Sequence, residues 1–454
     1  MLPFYKKVAY GMGRFGSSFF LTLTSLTSFW IYGTVFELNW LLNGVAIAVS
    51  YIVIGLTQWL VGYYSDQTET RWGRRKPFVA IGAPALTLTG FLLFVPNWFI
   101  NVADPSLELI VFGYYLFFVC TFRFFYGFLL TPFQSWMPEI TEEDERPLVS
   151  SMQNTANWVA NGLGVVLGFV TPLLFAPAPA PPGLSSMGFM LILMVAVITV
   201  LFYLPSIAVV REKPGLIPTR RSLSEETRTV LQNNVYVRWF IIVGFLSFSL
   251  TAITTQIVGY AQSVLMLTTW DTLLPPAIGL LISVITFLYI WTRILGKTGK
   301  GRLLMYALII LAFLLALTPV LGILAGAVSN VVVALFYFIP LAACMAVYYL
   351  MSYIVPADIA HVDQLKTGMG RAGIYEGFKS VPLNVFQAAA VTLLGFFMEY
   401  SVITTGVELM GYLWWGPVFA PFLLVAAWIL RSTNIDPDFE ALKQEAQPSQ
   451  TPVQ

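Results

Sequence analysis

GYYSDQTETRWGRRKPF, residues 62–78, lies between two long apolar runs at 41–64 and 78–95. The stretch contains an acid, Asp66, where the first run ends, and a glycine suited to a tight turn, Gly73. It also contains a group of basic side chains, namely Arg71, Arg74, Arg75 and Lys76. Short loops rich in Lys and Arg between two membrane spans remain on the cytoplasmic side. The stretch, which we name the basic loop, therefore predicts two helical spans whose cytoplasmic ends it connects.

The charges of the basic loop also predict a gate. Asp66 lies close in sequence to Arg71, Arg74 and Arg75, with Gly73 as the turn between them. Charge pairing of this kind can hold the ends of two helices together in one state and release them in another. In the alternative interpretation the loop is a simple topology anchor, whose charges only fix the side of the membrane.

The composition is that of an integral membrane protein. Of the 454 residues, 57% are hydrophobic and 10% are charged, whereas soluble domains are about 25% charged. The net charge of +1 provides no field that would attract nucleic acid, so no such partner is expected. Cys120 and Cys344 both lie inside apolar runs, and we expect no disulfide.

The sequence lacks the patterns of an enzyme or an ATP-driven pump. It contains no nucleotide-binding fingerprint and no nucleophile–base constellation, and we expect no cofactor. The single histidine, His361, lies near Asp358 and Asp363 in a segment that we interpret as a cytoplasmic loop. Because no cysteine accompanies it, we interpret His361 as a solvated side chain and expect no metal site.

Twelve stretches are long and apolar enough to cross a membrane, which requires roughly 20 apolar residues each. They lie at 10–34, 41–65, 78–97, 108–135, 151–175, 186–209, 236–263, 273–295, 303–324, 328–354, 372–399 and 409–431. The loops assigned to the outside contain no Lys or Arg, and nearly all 24 basic residues lie in or beside the inner segments. The positive-inside rule therefore predicts a multi-pass protein of the plasma (inner) membrane with both termini in the cytoplasm.

The twelve spans divide into two sets of six. Residues 293–302 form a degenerate second copy of the basic loop, and the motif at 138–140 is echoed at 356–359. Such repeats predict an all-α membrane protein with two six-helix bundles around a central cavity, although chance similarity is the alternative for each echo. We expect an N-terminal bundle at 1–210, a cytoplasmic linker at 211–235, a C-terminal bundle at 236–431 and a mobile cytoplasmic tail at 432–454.

Ionisable groups inside a span are costly in lipid, so each is a candidate functional group. Arg123 lies near the middle of span 4 and is expected to face the cavity and bind substrate; cation–π contact with a neighbouring ring is the alternative. Glu376 and Lys379 share one face of span 11 and are candidates for coupling. Glu376 is the candidate proton carrier because a buried carboxyl can bind a proton near neutral pH. A structural ion pair between the two residues is the alternative.

Uncharged polar residues inside the spans are further candidates for substrate binding. Gln153, Asn157 and Asn161 are spaced by four residues, so they form one stripe of amides on span 5. An amide both donates and accepts hydrogen bonds, which suits sugar hydroxyls, but such a stripe can equally hold two helices together. The other candidates are Ser18, Gln58, Tyr126, Gln256 and Asn384.

Several motifs resemble those of the major facilitator superfamily. They are YGMGRFGSSF at 10–19, the basic loop, TPFQSWMPEIT at 131–141, VPADI at 355–359 and GRAGIYEGF at 370–378. The basic loop looks most like that of the sucrose–proton symporters. It is also similar to the loop of the melibiose-carrier branch, the glycoside–pentoside–hexuronide cation symporters. The resemblance implies a transporter that alternates between inward- and outward-facing states.

The sequence departs from melibiose-type carriers at the positions that bind cation and sugar. Ile54 and Gln58 stand where those carriers have two carboxylates on span 2, and Ser18 stands where they have an acid on span 1. Leu130 and Asn384 stand in place of an acid on span 4 and a lysine on span 11. Because a hard cation needs anionic oxygen ligands, we predict that sodium coupling of that kind is absent.

These observations predict a secondary transporter of a small hydroxylated solute, most simply a sugar or a glycoside, with a proton as the candidate coupling ion. The alternatives are an anionic or lipid-like solute, or a non-transporting membrane sensor, because a fold does not determine a function. We expect the protein to be a monomer that contacts membrane lipid.

Overall fold

The structure is a computed structural model that describes residues 3–68, 70–142, 144–175, 182–210, 228, 231–325, 327–367 and 380–437. The first half contains Phe4–Met12 continued by Arg14–Trp30 (span 1), Trp40–Gln67 (span 2), Lys76–Leu92 (span 3), Glu108–Ile140 (span 4), Arg146–Val170 (span 5) and Ser186–Val209 (span 6). The second half contains Asn234–Ser263 (span 7), Trp270–Thr298 (span 8), Lys300–Ala316 with Thr318–Leu324 (span 9), Asn330–Thr367 (span 10), Ser380–Thr405 (span 11) and Leu409–Arg431 (span 12).

The helices occupy the twelve stretches predicted from the sequence. Among the described residues, nine helices are long and apolar enough to cross a membrane, and the two parts of span 9, bent by 50°, form a tenth. Spans 1 and 3 correspond to helices of 17 residues, Arg14–Trp30 and Lys76–Leu92. The predicted all-α, multi-pass membrane fold is confirmed.

Two predicted boundaries are wrong. Span 10 continues as a helix to Thr367, so His361 lies on a helix and not in a loop. An ion pair between Lys300 Nζ and Asp358 Oδ2, 2.5 Å long, fixes this polar extension to the start of span 9. The predicted loop between spans 8 and 9 reduces to Gly299, whose φ of 78° lies in the left-handed region that favours glycine.

Among the described residues, the main contacts between the two halves are made by three pairs of helices. Span 2 packs on span 11, span 1 on span 7, and span 5 on span 8. Spans 2 and 11 cross where Gly44 faces Gly395, and a Cβ added to Gly395 would lie 2.5 Å from the carbonyl oxygen of Trp40. Small residues allow such close backbone contact between membrane helices. The crossing therefore depends on the absence of side chains at both glycines.

We name the end of the molecule that carries loops 36–39 and 406–408 the outer end, after its predicted orientation, and the end with the basic loop the inner end. At the outer end, the rings of Phe169 in span 5 and Phe338 in span 10 have centroids 5.5 Å apart. The Tyr412 hydroxyl of span 12 lies 3.3 Å from Oγ1 of Thr34, which lies in the helical turn Ile31–Val35 directly after span 1. Side chains from both halves therefore close the outer end.

Candidate functional site

A cavity of about 400 Å³ lies between the two halves, a size typical of small-molecule sites. Spans 1, 2, 4 and 5 line one side, and spans 7, 8, 10 and 11 line the other. The polar side chains from the first half are Thr22, Ser25, Tyr51, Gln58, Arg123 and Asn161. Those from the second half are Ser247, Thr251, Thr254, Tyr348, Tyr349, Asn384 and Gln387. The cavity wall is therefore rich in hydroxyl and amide groups from both halves.

Arg123 is the one charged residue among the described residues that line this cavity. It is 6% exposed. Its Nη2 donates to Ser25 Oγ at 3.1 Å, and its guanidinium carbon lies 4.5 Å from the centre of the Tyr51 ring. A cation–π contact is thus present, with a ring of span 2 and not with a ring adjacent in sequence. The guanidinium has several N–H donors, so it can bind a ligand while it keeps these contacts.

The amide stripe of span 5 lies against span 1. Ser18 Oγ donates to Asn157 Oδ1 at 2.6 Å, and Thr22 Oγ1 donates to Asn161 Oδ1 at 2.9 Å. Two of the three amides therefore hold spans 1 and 5 together, and Asn161 in addition lines the cavity. Gln153 is buried, and its Nε2 has no hydrogen-bond partner among the residues that the structure describes. Ser18, Asn157 and Gln153 are not among the described lining residues, so their role in substrate binding stays a prediction.

The remaining uncharged candidates divide into two groups. Gln58 and Asn384 line the cavity from spans 2 and 11, and Asn384 Nδ2 donates to the Ser380 carbonyl at 2.8 Å. Gln256 is buried inside the second half, where its Nε2 lies 3.1 Å from Met398 Sδ. Tyr126 and Gln256 are both absent from the described cavity lining.

Sequence analysis missed several lining residues, among them Ser25, Tyr51 and Trp158. Helical spacing could have found the first two, since Ser25 lies two turns after Ser18 on span 1, and Tyr51 lies two turns before Gln58 on span 2. Trp158 packs edge-on against Tyr349 with ring centroids 5.1 Å apart. We name Trp158, Tyr349 and the adjacent Tyr348 the aromatic corner of the cavity.

The basic loop forms a tight turn after span 2. Gly73 has a φ of 110°, as the predicted turn requires. Arg75 is buried, and its Nη1 donates to Ser65 Oγ at 2.6 Å, which ties the loop to the last turns of span 2. Arg71 is exposed. The Asp66 side chain lies outside the described part, so the gate that it would form with Arg71, Arg74 and Arg75 stays a prediction.

Glu376 and Lys379 both lie in 368–379, outside the described residues. Their proposed roles therefore stay predictions.

Comparison with known proteins identifies the family. Residues 8–436 match the family described as MFS/sugar transport protein. The chain belongs to this family. Its members are transport proteins and not enzymes, which confirms the resemblance found in the basic loop and the other motifs.

Individual relatives agree with this family. The chain is 30% identical over 212 residues to the lactose permease of Lactobacillus delbrueckii subsp. bulgaricus, a match that covers 43% of this chain and 32% of the permease. The match thus spans about a third of the length of the permease.

The structure is similar to that of the nucleoside transporter NupG, with a TM-score of 0.64 and 14% identity over 94% of this chain and 98% of NupG. It is also similar to a D-xylose-proton symporter, with a TM-score of 0.59 and 14% identity over 92% and 95% of the two chains. At these identities the similarity concerns the fold alone, and it confirms the predicted major facilitator fold.

Proposed function

We propose that this chain is a secondary transporter that moves a small hydroxylated solute, a sugar or a glycoside, by alternating access. The observation that carries the proposal is the central cavity, to which both halves contribute hydroxyl and amide groups. These groups can pair with sugar hydroxyls, and the aromatic corner offers ring faces for an apolar face of a sugar. A site shared by two bundles can open to either side as the bundles rock against each other.

The proposed topology follows the charges in the loops. The loops assigned to the outside contain no Lys or Arg, which supports an inner-membrane protein with both termini in the cytoplasm. In this proposal the bundles at 1–210 and 236–431 are the moving units, 211–235 links them, and 432–454 is a cytoplasmic tail. The protein acts as a monomer surrounded by lipid. A proton is the proposed coupling ion, with Glu376 as its carrier beside Lys379.

Arg123 favours a second candidate substrate, a sugar that carries a carboxylate. An arginine near the middle of a membrane span is costly unless other groups compensate its charge. Its contacts are the Ser25 hydroxyl and the Tyr51 ring face, and no Asp or Glu is among the described residues lining the cavity. A carboxylate can accept two parallel hydrogen bonds from a guanidinium and neutralise it. A sugar acid therefore fits the charge of the cavity better than a neutral sugar does.

We expect sugar-dependent flux in proteoliposomes that contain the purified protein. The solute is selected first by thermal shift, because a ligand that prefers the native state raises the melting temperature. Matched pairs such as glucose and glucuronate, or galactose and galacturonate, separate the two candidates: a larger shift with the acid favours the sugar acid, and a larger shift with the neutral partner favours the plain sugar. Absence of flux for every ligand that shifts the melting temperature would contradict transport and favour a sensor.

We also expect this flux to be independent of sodium. Ile54 and Gln58, which occupy the positions of the cation-binding acids of melibiose-type carriers, line the cavity as uncharged side chains, and such a site binds a hard cation poorly. Uptake is compared with sodium, lithium or choline as the main cation. A strong stimulation by sodium would contradict this prediction.

A further inference from the structure

Spans 1 and 5 pack against each other in a constant, parallel register. The two hydrogen bonds between them described above both join residues 139 positions apart. One helical turn toward the inner end from the Ser18–Asn157 pair, the same register pairs Arg14 with Gln153. A Cβ added to Gly11 would lie 3.7 Å from the backbone nitrogen of Gln153, so the packing continues to this level. Arg14 and Gln153 therefore lie level with each other on two packed helices.

Both side chains have a buried nitrogen that lacks an acceptor. Arg14 Nε and Gln153 Nε2 are buried, and neither has a hydrogen-bond partner within the described part of the chain. Gln153 as a whole is 6% exposed. A buried donor without an acceptor destabilises a protein, and most buried polar groups therefore have a partner. Two such donors at one level of the first half indicate a place for an acceptor.

The polar groups of span 6 beside Arg14 bond elsewhere. The Tyr203 hydroxyl lies 2.7 Å from Ser17 Oγ, and Ser17 Oγ also donates to the Arg14 carbonyl oxygen at 3.3 Å. Ser206 Oγ donates to the Ala9 carbonyl oxygen at 2.8 Å. These bonds hold spans 1 and 6 together, and none of them involves the Arg14 guanidinium.

Arg14 also lacks a carboxylate partner among the described residues. Glu145 lies at the inner end of the same helix pair, but its Oε1 is 2.9 Å from Lys7 Nζ. Lys7 precedes Arg14 by seven residues, about 10 Å along the helix. The sequence contains no Asp or Glu at 8–36, 40–65, 77–103, 109–138 and 146–210, so Arg14 and Arg123 are uncompensated positive charges inside the first six spans. Charges inside a membrane span are costly and mark functional sites.

We propose that Arg14 and Gln153 form an anion-binding subsite on the inner side of the central cavity, which holds a carboxylate or a phosphate group. An ionised carboxylate only accepts hydrogen bonds, and a phosphate group has three strong acceptor oxygens. Either group satisfies both donors and neutralises the guanidinium. The anion is the acidic group of a sugar acid or a free inorganic anion. The inference rests on the proposed function only for the first of these two sources.

The subsite lies between the cavity and the inner end. Thr22 and Ser25 of span 1 line the cavity, and Ser25 is bonded to Arg123. Arg14 precedes Ser25 by eleven residues, about 16 Å along the helix toward the inner end. A sugar acid that leaves Arg123 toward the cytoplasm therefore meets a second arginine that can neutralise its carboxylate. A neutral sugar gains no such interaction.

The test measures binding without transport. Purified full-length protein is titrated at constant ionic strength with glucuronate, with glucose and with inorganic phosphate, by equilibrium dialysis and by thermal shift. Arg123→Gln weakens the cavity site, and we expect the remaining anion binding to fall by a further tenfold, or about that, when Arg14→Gln is added, because a hydrogen bond to a charged group has this effect. Glucose binding should not respond to Arg14→Gln. A response to glucuronate alone assigns the subsite to the solute, and a response to phosphate assigns it to free anions.

Two further variants separate anion binding from a structural role. Gln153→Met keeps the buried volume and removes the amide. Because that amide has a buried nitrogen without a partner, the variant should melt no lower than the unmodified chain without anion, and its rise in melting temperature with anion should be smaller. Arg293→Gln replaces an exposed arginine outside the cavity lining. It is the matched control and should keep the full response to anions.

The proposal would be overturned by unchanged anion binding in both Arg14→Gln and Gln153→Met, or by an equal loss in Arg293→Gln. If Arg14→Gln does not fold, Arg14→Lys gives the same comparison, since it keeps the charge and loses the paired hydrogen bonds of the guanidinium. A Gln153→Met variant that melts lower without anion and keeps the full anion response would also refute the subsite. Anion binding that depends on Arg14, without flux of any sugar, would refute the proposed transport and leave the subsite intact.

Discussion

Replacing Arg123 by lysine is expected to weaken substrate binding by about 10- to 100-fold. A hydrogen bond to a charged group is worth about 1.5–3 kcal/mol, and each 1.4 kcal/mol corresponds to about tenfold in affinity. Lysine keeps the positive charge, so the protein should still fold and insert. It cannot form the planar pair of parallel hydrogen bonds, and it cannot lie flat on the Tyr51 ring as the guanidinium does. Calorimetric titration of the purified variant with the selected ligand measures the loss.

Arg293→Lys is the matched control for this substitution. Arg293 of span 8 also lies over a tyrosine ring, 5.1 Å from the Tyr289 centroid, and donates to the Tyr289 hydroxyl at 2.9 Å. It is exposed and does not line the cavity, so its replacement should leave affinity unchanged. If both Arg123→Lys and Arg123→Ala bind the ligand normally, the role of Arg123 is structural, namely its packing against the Tyr51 ring. The binding groups would then be sought around Asn161.

The fold could be predicted from hydropathy and loop charge because few backbone conformations are stable across a lipid bilayer. A backbone that crosses lipid must satisfy its own hydrogen bonds, so each long apolar run becomes a helix. The two wrong helix boundaries lie at the membrane surface, where water can satisfy the backbone and this constraint no longer applies. Span 10 continues past its apolar run because Asp358 pairs with Lys300, a contact between distant parts of the chain. Hydropathy carries no information about such a pair.

The candidate site could be predicted only in part, because hydropathy gives neither the rotation of a helix nor its partners. The position of Arg123 follows from the cost of burying a charge in lipid, whereas Ser25 and Tyr51 are known only once spans 1, 2 and 4 are packed. Ser18 and Asn157 are suitable for binding a sugar by chemistry, but they bond to each other. The hydrogen bond from the Trp40 N–H to Glu399 could not be predicted either. Acidic residues are common at the ends of spans, and the sequence does not show which partner each one has.

Gly395→Ala is expected to open the outer end and to reduce uptake by about tenfold or more. A Cβ on Gly395 would lie 2.5 Å from the Trp40 carbonyl oxygen and 3.0 Å from Gly44 Cα, and both neighbours are backbone atoms that cannot rotate away. Spans 2 and 11 must therefore separate at their crossing. Overpacking of this kind costs about 1–3 kcal/mol, which is the size of a coupling that shifts a two-state equilibrium by about 5- to 150-fold. The overpacking raises the free energy of the closed outer end, whereas an open outer end, in which spans 2 and 11 are separated at their crossing, is not affected.

Spin labels at Asn101 and Thr404, which are exposed at the outer end of the two halves, measure the distance across that end in a chain with Cys120 and Cys344 replaced by alanine, and uptake is measured in parallel. Gly113→Ala is the matched control, because a Cβ at Gly113 in span 4 would have no atom of another described element within 4 Å. Alanine is favoured over glycine inside a helix by about 0.5–1 kcal/mol, so Gly113→Ala should melt no lower than the unmodified chain and transport normally. Gly395→Ala gains the same local preference, and a loss of uptake with an unchanged melting temperature therefore reports the conformational shift and not unfolding. If Gly395→Ala keeps the closed distance and normal uptake, the Gly44–Gly395 crossing does not set the position of the outer end.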